Sequence, residues 1–242
     1  MVGQVSREAA TEFRTSLVGM RRLVEQEIST FVHTYRDARD DEWWKTSSAS
    51  EEFALVMRGI VERYGEAGAA FAAEWYDDAR ATVQASGRFR AELFASSYLD
   101  AVDGTVQRAL FQQVVSDDPD DVTAAIIKTL QSTIPKYTLD APRRTIMQNT
   151  SRDPQAQGWQ RVTRAGACSF CDMLAGRGGV YKRETVHFAS HGDCNCGAVP
   201  SWDPSAPEVD VELYEASKRT TRMSDSQRAA HNKAIRDYLA QS

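Results

Sequence analysis

The chain has 242 residues and a mass of 27.0 kDa, enough for one large domain or two smaller ones, with 42% hydrophobic, 9% aromatic and 26% charged side chains. This is ordinary globular composition, which excludes intrinsic disorder and collagen-like repeats. With 29 basic against 34 acidic side chains the formal charge is -5, so no global positive field draws the molecule to nucleic acid or anionic lipid. No apolar stretch approaches the roughly 20 residues that span a bilayer, and no secretory pattern opens the chain, which points to synthesis in the cytoplasm and no membrane partner.

Apolar residues Phe13, Leu17, Met20, Val24, Ile28, Phe31 and Tyr35 recur at steps of three or four, predicting a long first helix over residues 5–35. Residues 37–41 end it, and Ser47 to Ser50 followed by Glu51 and Glu52 read as a new N-terminus. Phe53, Met57, Ile60, Val61 and Tyr64 give the second stripe, with Gly65 and Gly68 marking a break or a close helix contact before the period resumes at residues 71–83. Trp43 and Trp44 stand beside acids and read as folding back on the core.

Residues 89–115 repeat the helical period through Leu93, Phe94, Leu99, Val102, Val106, Leu110 and Val114. Asp118 can cap the next helix and Pro119 open it, while Pro135 is expected to close it. After Pro142, residues 143–150 read as one further short helix. The stripes describe core packing and carry no function.

Character changes after Thr150. Residues 159–164 alternate large and polar side chains and read as a strand, and residues 175–181 carry the glycines of a tight turn before another short strand. Pro200, Pro204 and Pro207 read as a linker, and a helix with a thin apolar stripe is expected over residues 223–240. The predicted class is mainly α: a helical bundle over residues 1–150, a small zinc-stabilised α+β module over 151–205, then a linker and C-terminal helix over 206–242.

All four cysteines, Cys168, Cys171, Cys194 and Cys196, lie within 29 positions. Cys168 and Cys171 are spaced as two thiolates that face one tetrahedral metal, and His191, Cys194 and Cys196 offer further ligands. Cysteine and histidine donors without a carboxylate shell favour zinc, and a cytoplasmic origin disfavours disulfides. Six residues, His187 among them, compete for four positions, so the set is open: Cys168 and Cys171 with His191 and one or both late cysteines, or four thiolates. His187 lies outside the tight group and reads as a surface or supporting residue. With all positions filled by protein, such a zinc is structural.

Residues 136–164 hold six basic side chains against Asp140 and Asp153, and Arg143, Arg144, Arg161 and Arg164 are the candidates for nucleic-acid contact. The glycines at 176, 178 and 179 lack the lysine and helix of a phosphate loop, and neither a Gly-x-Ser-x-Gly elbow nor a His-Glu-x-x-His pair occurs. No catalytic residue is assigned.

Over residues 159–200 the sequence Trp159-Gln-Arg-Val, then Gly166-Ala-Cys168-Ser-Phe-Cys171 through Gly176-Arg-Gly-Gly-Val-Tyr181, then His191-Gly-Asp-Cys194-Asn-Cys196-Gly-Ala-Val-Pro200, resembles minor head proteins of tailed phages of actinobacteria. It is similar, more distantly, to the F-like minor capsid proteins of phage Mu type, which share a Cys-x-x-Cys and a later His-x-x-Cys-x-Cys. The resemblance implies a virion or prohead component acting in head assembly at the portal vertex or inside the shell. Its implied partners are portal and major capsid protein, phage DNA and further copies of itself. Members of the actinobacteriophage group are often labelled capsid maturation proteases.

Overall fold

The computed structural model describes residues 3–39, 42–94, 98–111, 118–163, 167, 169–176, 180–182, 188, 190, 194–208, 224 and 226. Helix α1 (Arg7–Asp37) starts where the Ser6 side chain accepts from the Ala9 N–H at 3.1 Å. Its buried stripe runs Ala10, Phe13, Leu17, Arg21, Val24, Ile28, Val32, Tyr35, the three-and-four spacing of one helix face. Arg21 holds its place in that stripe by an ion pair with Glu25 at 2.6 Å.

A short 3-10 turn, Trp43–Lys45, then folds both tryptophans onto the core at 3% exposure, as expected for residues that return to the bundle. Helix α2 (Ser47–Thr82) is capped by Thr46, one residue before the serine run, through a bond from the Ala49 N–H. It does not break at its glycines. A Cβ at Gly68 would stand 3.1 Å from the Met20 sulfur and 3.2 Å from the Pro142 ring, so glycine there is a close helix contact.

The expectation of one helix over residues 89–115 is corrected. Helix α3 covers only Leu99–Phe111, residues 112–117 lie outside the described residues, and residues 88–94 are not helical. Backbone pairing with a side chain explains the exception: the Glu92 N–H donates to Asn149 Oδ1 at 2.8 Å and the Asn149 amide returns a bond to Glu92 O at 2.7 Å. The Phe94 N–H donates to Thr145 Oγ1 at 3.2 Å in the same manner. Satisfied polar groups outside a helix thus outweigh the local helical period.

Helix α4 (Pro119–Thr138) opens as expected, with Asp118 accepting from the N–H groups of Asp120 and Asp121 and Pro119 in the first turn. Pro135 does not close it. The helix carries on to Thr138 because the Pro135 carbonyl still accepts, from the Leu139 N–H at 3.0 Å and the Thr138 hydroxyl at 2.8 Å. Helix α5 (Asp140–Arg152) follows almost without a gap, and Pro142 sits in its first turn, where its missing N–H costs nothing.

Strand β1 (Gly158–Val162) pairs antiparallel with strand β2 (Gly197–Ser201), and the seven-residue helix α6 (Ser169–Ala175) lies between them in sequence. Pro200 is therefore part of a strand and not of a linker. It tolerates the sheet because the Trp159 N–H and carbonyl opposite it both turn to Tyr181, on the other edge, at 3.2 and 2.9 Å. Gly158, at φ +146°, is required there, since a Cβ would fall 2.7 Å from the Tyr181 carbonyl oxygen. The chain start joins the sheet through the Gln4–Ser201 bridge.

Two apolar clusters divide the interior. One, toward the C-terminal half of α1, gathers Val24, Ile28, Val32, Phe53, Met57, Val106, Leu110, Ile126, Leu130 and Ile134 from α1, α2, α3 and α4, with Trp43 of the 3-10 turn. The other combines Phe13 and Leu17 of α1, Tyr76 of α2 and Ile146 of α5 with Trp159, Cys171, Cys194, Cys196, Val199 and Trp202. The β-containing segment thus shares a core with the helices. No helix among the described residues is long and apolar enough to cross a membrane. The helix expected over residues 223–240 falls almost entirely outside the described residues.

Candidate metal centre

Three of the four cysteines meet in the second cluster. Cys171 is the third residue of α6, and Cys194 and Cys196 come from the two-residue step just before β2, a spacing that in extended chain sends both side chains to one side. Their sulfurs all lie within 4.8 Å of one another, with Cys171 and Cys194 at 3.9 Å. A tetrahedral ion with metal–sulfur bonds of about 2.3 Å places its sulfurs about 3.8 Å apart, close to the Cys171–Cys194 separation, so the three cysteines could hold a metal. The three residues are 2–3% exposed, and burial at this depth shields their sulfurs from solvent. Cys168, His187 and His191 lie outside the described residues, as does Arg164.

The arginines expected to touch nucleic acid do not form one surface. Arg143 is fully buried and Arg161 is 4% exposed, which removes both from any contact face. Arg144 is partly exposed and lies 4.0 Å from Asp140. Instead Arg143 reaches back from α5 to the cysteines: Nε donates to the Cys196 carbonyl at 3.0 Å and Nη2 to the Cys194 carbonyl at 2.9 Å. Both guanidiniums face the Phe188 ring, Arg143 at 4.7 Å and Arg161 at 3.7 Å from its centroid. Trp159 stacks on Tyr181 at 4.4 Å and meets Phe188 at 5.7 Å, closing an aromatic wall.

The electrostatics of the thiols are unequal. Cys194 is held below the usual thiol range by hydrogen bonds from Cys171 and Cys196 and, against the cost of burial, by the Arg143 charge. Its hydrogen bond with Cys194 raises Cys171, as do its bond with Cys196 and burial. Cys196, which the contact with Cys171 would lower, is pushed up to about 11 by Cys194 and by burial. Burial lowers Arg143 from its ordinary value, the Cys194 charge opposes that, and neighbouring Arg161 adds to it. A divalent ion bound there would let all three sulfurs ionise together.

A second polar group anchors this half of the molecule. The Asp153 carboxylate, 2% exposed, accepts from Arg80 Nε at 2.9 Å, Trp202 Nε1 at 2.9 Å and the Tyr76 hydroxyl at 3.2 Å. Burial, with the Asp153 charge next, pushes the Tyr76 hydroxyl far up and keeps it a donor. Arg80 also donates to the carbonyls of Ala85, Ser86 and Gly87, folding the chain after α2. Sequence reading missed the roles of Arg143 and Asp153. A signal for the first existed: Arg143 stands three and seven residues before Ile146 and Thr150, on the buried stripe of α5.

A family model described as VG15 protein matches residues 4–237. No curated protein and no solved structure matches the chain significantly.

Proposed function

Because the chain belongs to the VG15 protein family, a family of phage gene products, we propose that it serves as a minor component of the phage head. In this reading it is a virion protein made in the host cytoplasm. It acts in head assembly at the portal or the inner shell, through contacts with portal or major capsid protein. The observation that carries the reading is the match over residues 4–237, which joins the helical part and the cysteine segment in one phage family. The resemblance of residues 159–200 to minor head proteins supports the same role.

Zinc is the metal this reading assigns to Cys171, Cys194 and Cys196. All-sulfur donors suit zinc, and Cys168 or His191 completes four protein ligands. The bound ion would be structural, tying Cys171 of α6 to Cys194, with 22 residues between them, just before β2.

Coexpression with portal and with major capsid protein tests the assembly role. Copurification of either, with copies of the chain found in purified heads, is the expected outcome. Heads that assemble and package DNA normally without it, together with no stable complex, overturn the role. Zinc content per chain, measured on protein purified without chelators or a metal-affinity tag, tests the metal: one zinc per chain is expected, and none overturns it.

A further inference from the structure

We infer that Arg143 is the counter-cation of a net-anionic thiolate centre formed by Cys171, Cys194 and Cys196, and that its positive charge sets how tightly the centre holds a divalent ion. The inference rests on the metal reading above. Three thiolates around a divalent cation sum to one negative charge, and these sulfurs are 2–3% exposed, so that charge needs a compensating cation within the protein. Arg143 is the fully buried cation joined to the site, through the carbonyls of two of its three ligands. It forms no ion pair with a carboxylate among the described residues, and its Nη1 has no hydrogen-bond partner there. A guanidinium buried without an acid is destabilising on its own. Its presence is explained when the anion it serves is the loaded cluster.

The fork to the Cys194 and Cys196 carbonyls also fixes the backbone that carries two ligands, so charge and positioning must be separated. Arg143→Met keeps the length and flexibility of the side chain and removes both charge and donors, whereas Arg143→Lys keeps the charge and loses the two-carbonyl fork. The full-length protein and both variants are titrated with zinc against a chromophoric chelator. Each is also melted with zinc and after zinc removal. In the methionine variant zinc affinity is expected to fall about 10–100-fold, the range for residues that support a metal ligand. The lysine variant should recover most of that loss.

The metal-free proteins separate charge from packing. Without zinc, Arg143→Met removes a guanidinium that has no carboxylate partner among the described residues together with its bonds to the Cys194 and Cys196 carbonyls, so its melting temperature should fall less than that of the zinc-loaded variant. Zinc affinity unchanged in Arg143→Met overturns the inference. Equal loss in the methionine and lysine variants, or a methionine variant that fails to fold without zinc, assigns Arg143 to packing and overturns it as well. If the unmodified chain itself takes up no zinc, the metal reading fails, and that outcome is read separately from the variants.

Discussion

At the scale of single residues, the cluster and its neighbours show how buried polarity is paid for only by partners. Asp153 is the clearest case, because Arg80, Trp202, Tyr76 and the Gln155 N–H all donate to one carboxylate. Removing it by Asp153→Ala leaves a buried guanidinium without its acid, which is expected to cost about 3–5 kcal/mol. Urea unfolding of the single variant and of Arg80→Met/Asp153→Ala checks this. The double variant should recover part of the loss, since the stranded charge is gone, and strict additivity would show the pair to be uncoupled. That Cys171, Cys194 and Cys196 gather in one place was legible in the sequence because cysteine is rare here and the four are clustered. Arg143 and Arg161 were not, since a count of local charge carries no information on which side chains turn inward. Only the helical register of α5 distinguishes Arg143 from Arg144, its exposed neighbour.

At the scale of elements, the helical periods of α1, α2, α4 and α5 were readable because each buries one stripe along most of its length. Failures arose where a local signal met a tertiary partner. Residues 89–94 have helical spacing, yet Asn149 and Thr145 capture their backbone. Pro135 lacks an N–H, yet its carbonyl still serves the next turn, so α4 runs on for three residues. Two of the three glycines within α2 make the point quantitative. A Cβ at Gly59 meets nothing within 4 Å, so Gly59→Ala should stabilise by about 0.5–1 kcal/mol through helix propensity. At Gly68 the same gain is opposed by contacts with Met20, which can move, and with the Pro142 ring, which cannot. Gly68→Ala is expected to be net destabilising by about 1 kcal/mol, within the range for an overpacked core. Chemical denaturation of the two variants side by side checks the opposite signs. Equal shifts in the same direction would mean that α2 and α5 have slack at their crossing.

At the scale of the whole molecule, two cores set how far a disturbance at the cysteine cluster travels. The three cysteines belong to the same apolar cluster as Phe13 and Leu17 of α1, Tyr76 of α2 and Ile146 of α5. The cluster built on Val24, Ile28, Phe53, Val106, Ile126 and Leu130 contains none of them. With the proposed ion bound, metal binding and local folding are coupled, so withdrawing it is expected to release α6 and the segment before β2 first. The loss then reaches the sheet, where Trp159 packs against Phe188 and Tyr181, and α5, whose Arg143 grips the Cys194 and Cys196 carbonyls. Hydrogen exchange on zinc-loaded protein, before and after chelation, should show faster exchange in α6, β1, β2 and α5. Exchange in α3 and α4 should be unchanged, because their buried faces rest on the other core. Cys171→Ser should reproduce the chelated pattern without chelator, which separates loss of the ion from any direct action of the reagent. Uniform acceleration through α3 and α4 would show that the two cores unfold as one cooperative unit, and no change at α6 would show that the cluster holds its geometry by packing alone.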